Sequence, residues 1–173
     1  MKNWCVLVLA ALIAVGCNQQ SAPTTTATAS APQMPALPTQ AQPKLQTIRL
    51  WMGPEEVTAE LALTQEQQMA GMMFRTNIEE NSGMLFVFPG PFRASFWMKN
   101  CPSPLAGAYI DPNGRILEIV DMHAQDTNSI VAKSADVQYV LEMNKDWFKR
   151  HKIGEGTLIR TEKGTLSETF FGR

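Results

Sequence analysis

Few side chains in this 173-residue chain carry reactive chemistry, and their surroundings decide what they can do. Cys101 is the candidate thiol nucleophile, and His123 and His151 are the candidate bases. Such a nucleophile needs a base within hydrogen-bond reach and a lowered thiol pKa. No catalytic signature surrounds Cys101, and free cysteine is among the most buried residue types, so a buried, inert thiol is the competing reading. Glu142 sits in the apolar run Gln138–Met143, where a carboxylate must be exposed on one face or paired. As a general acid or base it has no evident partner carboxylate. Pairing with Arg75 or Lys99 is the simpler expectation.

A second grouping suits binding rather than reaction. Lys99 and Asn100 follow Phe96-Trp97-Met98, so they can stand at the rim of a pocket with an apolar floor. Arg75, at the end of a Met-rich segment, supplies a second cation for an anionic ligand. The candidate ligand-binding residues are Arg75, Trp97, Lys99, Asn100 and Glu142. In the competing reading, Arg75 and Lys99 close the fold on carboxylates or carbonyls and Asn100 satisfies a turn. A third grouping is soft: among 10 methionines, Met69, Met72, Met73, Met84, Met98, Met122 and Met143 accompany Cys101 and His123. Thioether, thiol and imidazole suit Cu(I). Methionine is equally a flexible core filler, and only Met98 to Cys101 with Met122-His123 forms a group worth testing. No metal site is assigned and no cofactor is expected.

The elements that must position these groups follow from pattern. Strands are expected at Thr47–Met52, Val57–Leu63, Gly83–Phe88, Ala94–Met98, Leu105–Ile110, Arg115–Val120, Gln138–Met143 and Thr157–Arg160. Asp111-Pro112-Asn113-Gly114 is a hairpin turn. Thr64 with Gln67 makes a capping box opening a helix to Met73, and Lys145–Lys152 is a second short helix. The expected fold class is α+β and β-rich: a compact antiparallel sheet or small barrel with two short helices. The globular domain spans 47–160, and 161–173 is a loose C-terminal tail.

The N-terminus reads as an address. Lys2 precedes an apolar run from Trp4 to Val15, too short for a span of roughly 20 residues but suited to a signal peptide, 1–16. Ala14-Val15-Gly16-Cys17 resembles the bacterial lipobox, which makes Cys17 the lipidated first mature residue. Cys5 is then lost with the signal. The stretch 17–46 is rich in Ala, Pro, Thr, Gln and Ser and reads as a disordered tether. The expected location is the periplasmic face of a bacterial membrane, and Asn18 after the cysteine favours the outer membrane. The membrane is one partner, through the lipid. A net charge of -1 gives no basic field for nucleic acid, which is not an expected partner.

Four blocks together resemble the domain of unknown function 192 family. They are Gly71-Met72-Met73-Phe74-Arg75; Gly83-Met84-Leu85-Phe86-Val87-Phe88; Phe96-Trp97-Met98-Lys99-Asn100 with Pro104-Leu105 and Tyr109-Ile110-Asp111; and Tyr139-Val140-Leu141-Glu142 with Trp147-Phe148. The resemblance implies one β-rich domain, often exported, and no established activity. It also implies Thr where Cys101 stands, Asp at Ala106, Gly-Asp at Gly156-Thr157, and Gly at Asp146 and Lys152. The missing carboxylates weaken any carboxylate-based mechanism for this chain. The expected function is a non-catalytic binding module of the cell envelope, with a pocket for a small molecule, a glycan or a partner protein. The alternatives are an envelope hydrolase using Cys101 or Glu142, and a copper-handling protein using Met, Cys and His.

Overall fold

The computed structural model describes residues 36–172. The signal segment 1–16, Cys17 and the larger part of the tether lie outside the described residues. Among the described residues no helix is long and apolar enough to cross a membrane.

Thr47–Met52 (β1) and Glu55–Ala62 (β2) pair antiparallel around a turn at Gly53. Thr64 then caps α1 (Gln65–Ala70): its hydroxyl accepts from the Gln67 N–H, and the Gln67 side chain accepts from the Thr64 N–H at 3.0 Å. The expected capping box is present, but the helix stops at Ala70 rather than Met73. Gly71 takes φ 45° there, and a Cβ at this position would meet the Phe86 ring at 3.3 Å. The chain returns as Ser82–Phe92 (β3), followed by Ser95–Phe96 (β4), Leu105–Ile110 (β5), Ile116–Met122 (β6), Ile130–Val131 (β7) and Val137–Asn144 (β8). Trp147–Arg150 (α2), Ile159–Thr161 (β9), Gly164–Thr165 (β10) and Leu166–Phe171 (α3) complete it.

The β-rich α+β expectation holds, with three corrections. The eight-stranded sheet runs β10-β9-β1-β2-β3-β8-β5-β6 and is mixed, because β2 and β3 are parallel. A parallel pair needs a crossover, and the segment containing α1 supplies it. Nor does the sheet close into a barrel: β6 meets the chain before β9 through the isolated bridge Arg115–Leu158. The third correction is α3, which occupies the expected loose tail. Thr165 and Glu168 form a second capping box, Leu166 is fully buried, and the Phe170 and Phe171 rings lie 6.1 and 6.3 Å from that of Tyr139.

Period two sorts the central strands onto two buried faces. Leu85, Ala108, Leu141 and Met143 join Leu50, Trp147, Ile159 and Leu166 on the first. Met84, Phe86, Tyr109 and Val140 join Met72, Met73, Met98, Cys101 and Met122 on the second. Burial on both faces explains why β5 and β8 read as nearly continuous apolar runs. Each such large side chain contributes about 1.5–3 kcal/mol when fully buried. Asp146 and Lys152, where the family resemblance implies glycine, both adopt left-handed backbone, with φ of 60° and 57°.

Candidate functional site

The site lies on the second face, where β3 loses its ladder. Phe86 and Phe88 project two residues apart, and Pro89-Gly90-Pro91 follows at once. Proline has no N–H to donate, and the β3–β8 register shifts between Val87 and Phe92. Side chains hold the carbonyls there: Gln68 Nε2 donates to Val87 O at 2.8 Å and Gln138 Nε2 to Phe88 O at 3.2 Å. The bulge lets Phe92 meet Phe88 with ring centroids 4.6 Å apart. Phe96 stands edge-on to Phe86 at 5.0 Å and faces Phe88 at 6.5 Å. These edge-to-face contacts suit the ring quadrupoles.

The rings wall a cleft of about 450 Å³, which Met69, Trp97 and Leu37 complete. Phe92 and Trp97 remain 38 % and 39 % exposed, so large aromatic surface faces the opening. Leu37 belongs to the expected disordered tether, but residues 36–46 lie against the domain. The Gln42 amide donates to the carbonyls of Gln67 (3.2 Å) and Gly71 (2.9 Å) and fastens this stretch to α1.

Behind the cleft is a second cavity of about 30 Å³. The two share Gln68, Met69, Phe86, Phe96 and Trp97 as walls, and the inner one ends on Cys101 and Glu142. Its volume suits one water-sized group. Glu142 is 4 % exposed, and among the described residues nothing donates a hydrogen bond to its carboxylate. Burial pushes its carboxyl pKa up to about 8. Burial likewise pushes the Cys101 thiol up to about 12, with the neighbouring Glu142 charge adding to the effect. Tyr109 is raised too, chiefly by burial and then by Glu118 and Glu142, and its hydroxyl donates to Ile130 O at 2.7 Å.

The five candidate residues separate into two groups. Trp97 and Glu142 line the inner cavity, and Lys99 Nζ lies 5.3 Å from the centroid of the Trp97 ring. Arg75 is elsewhere. Its guanidinium grips Glu60 through two hydrogen bonds of 2.6 and 2.9 Å, in a recess of about 180 Å³ beside Lys44 and Asn77. The expected pairing of Glu142 with Arg75 or Lys99 is therefore overturned: one cation is engaged by Glu60 and the other lies over an indole. Asn100 is a turn residue with φ 59°, and its carbonyl accepts from the Phe74 N–H at 2.7 Å.

The nucleophile reading finds no base. His123 is exposed. His151 stacks on Trp147 at 4.3 Å, on the first face, with Nδ1 2.8 Å from Glu55. A thiol raised to about 12 is the opposite of an activated one. Of the soft grouping, Met72, Met73, Met84, Met98, Cys101 and Met122 share one cluster without His123, and Met69, Met72, Met73 and Cys101 border the inner cavity. Among the described residues no group of three or more His, Cys, Asp or Glu is placed to hold a metal.

Sequence reasoning missed Leu37, Phe86, Phe88 and Phe92 as site residues, and named Met69 only as a soft ligand. The available signal was Phe86 and Phe88 on one strand face ahead of a Pro-Gly-Pro break, and Leu37 as an apolar residue in a polar stretch.

A comparison with curated proteins finds no match. Among solved structures, the chain is similar to a Sinorhizobium meliloti 1021 protein described as a candidate transcription regulator. The two are 29 % identical, with 66 % of this chain and 92 % of that one covered, and a TM-score of 0.62. A protein of unknown function from Novosphingobium aromaticivorans DSM 12444 is 28 % identical, with 67 % and 86 % covered and a TM-score of 0.63. The family model described as Uncharacterized ACR, domain of unknown function 192, matches residues 48–161. Within the matched span, Phe96 and Trp97 wall the cleft and Glu142 lines the inner cavity, and this chain belongs to the domain of unknown function 192 family.

Proposed function

We propose that the protein is a non-catalytic binding module of the cell envelope, tethered through lipid on Cys17 and facing the periplasm. Its ligand site is the aromatic cleft between α1, the β3 bulge and Trp97. The carrying observation is the cleft itself: about 450 Å³, walled by Phe86, Phe88, Phe92, Phe96, Met69 and Trp97, with Cys101 and Glu142 on the adjoining cavity and no histidine beside them among the described residues. Ligand sites are typically apolar hollows with a few placed polar groups. A hydrolase is disfavoured because, among the described residues, Cys101 has no histidine base and Glu142 no second carboxylate.

The test uses the full chain in lipid nanodiscs with ¹³C-methyl methionine. Benzyl alcohol is titrated as a small neutral aromatic probe. The Met69, Met72 and Met73 methyl signals shift, while those of Met52 and Met143 on the first face stay fixed. A Trp97→Ala, Phe96→Ala double variant weakens binding at least fivefold. Saturable shifts on the first face alone, or none at all, would remove the cleft as the site. Palmitate labelling of the chain in cells, lost in Cys17→Ala, checks the anchor; labelling that persists refutes it.

A further inference from the structure

The inner cavity is more specific than the cleft that leads to it. Its polar wall is rich in acceptors. Glu142 presents a carboxylate that receives no hydrogen bond among the described residues, Met69 and Met72 present weakly accepting sulfurs, the Met73 sulfur already accepts from the Asn100 amide at 3.9 Å, and Phe86, Phe96 and Trp97 present ring surface. The Gln68 amide N–H groups already bond Ala62 O and Val87 O. The volume, about 30 Å³, has room for a group the size of one water.

We infer that the ligand of the aromatic cleft carries a primary ammonium group, which enters the inner cavity and pairs with the Glu142 carboxylate. This rests on the cleft reading and adds the chemical class of the ligand: a small primary amine with an apolar body. An ammonium head brings three donors and a charge into a wall that offers acceptors, a carboxylate and aromatic faces. A quaternary ammonium satisfies the charge but has no N–H to donate to the carboxylate. Lys99, whose ammonium lies over Trp97, shows that this indole accepts a cation at 5.3 Å. The aromatic residues of the cleft then hold the apolar body.

The experiment compares benzylamine, benzyl alcohol and benzyltrimethylammonium on the full chain in nanodiscs at pH 7, with the Met69, Met72 and Met73 methyls as reporters. Benzylamine binds at least tenfold more tightly than benzyl alcohol, and benzyltrimethylammonium shows no such gain. Glu142→Gln removes the amine advantage over benzyl alcohol, and an unchanged far-UV circular dichroism spectrum shows that the variant is folded. Equal affinity of amine and alcohol overturns the inference while the cleft reading stands. An amine advantage that persists in Glu142→Gln, or is matched by the quaternary ion, overturns it by placing the charge outside the inner cavity. If no probe moves the reporters, both readings fall.

Discussion

Replacing Glu142 by Gln should make the protein more stable at neutral and alkaline pH, by an amount that depends on pH in a defined way. The carboxyl titrates near 8 in the folded domain, against an ordinary value of 4.5 in the unfolded chain. Between those values the native state binds more protons than the unfolded state, so stability falls as pH rises. The loss begins near pH 4.5 and is complete above about 8. Its slope is a tenfold change in the folding constant per pH unit, which sums to about 5 kcal/mol across the window and about 3 kcal/mol by pH 7. Glutamine keeps the shape and cannot ionise. The stability difference between variant and wild type is therefore flat below pH 4.5, climbs to pH 8 and levels.

Carboxylates with lowered pKa, such as Glu66, Glu80 and Glu168, act below pH 4.5 and are common to both proteins. Urea unfolding of the full chain in a mild non-ionic detergent, followed by tryptophan fluorescence from pH 4.5 to 8.5, measures the difference directly. A difference that does not vary with pH would refute the reasoning. So would one that shrinks as pH rises, because it would mean that Glu142 is paired with a cation in the ligand-free protein.

Asp146→Gly and Lys152→Gly should each raise stability by up to about 1 kcal/mol, since both residues occupy left-handed backbone that favours glycine. Unfolding midpoints of the two variants check this, and a lowered midpoint would show that side-chain contacts outweigh the backbone gain. Cys101 should resist iodoacetamide in the folded protein at pH 8 and react once urea exposes it, because its thiol is pushed up to about 12. Peptide mapping of the alkylated residue decides it; rapid native labelling would contradict the buried placement.

Much of the framework was legible because local rules and tertiary packing agree. Thr64 with Gln67, the Asp111–Gly114 turn and the apolar runs of β5 and β8 each declare themselves within a few residues. The misses have specific causes. The parallel pairing of β2 with β3 is set by packing across a crossover, which no local pattern reports. The tail was read as loose although Thr165 and Glu168 repeat the signature that had identified α1. Of the candidate site, Trp97 and Glu142 line the inner cavity, whereas Arg75 and Asn100 close the fold as the competing reading held. Charge alone cannot distinguish these roles. The cation on Arg75 is neutralised by Glu60, fifteen residues earlier in sequence, and only the fold brings the two together.

An unpartnered carboxylate links stability to binding if the ligand is an amine. In the ligand-free domain, Glu142 reduces its own cost by holding a proton. The inferred ammonium replaces that proton, so the two compete for one carboxylate. The thiol and phenol beside it do not ionise near neutrality, because Cys101 and Tyr109 are both raised. Amine affinity should therefore rise about tenfold per pH unit through the neutral range and level above about 8, where the proton is already gone. Benzyl alcohol, which does not displace the proton, should show no such rise. Benzylamine affinity that is flat from pH 6 to 8 would separate the two halves of the argument, leaving the burial of Glu142 intact and removing its role as the ammonium partner.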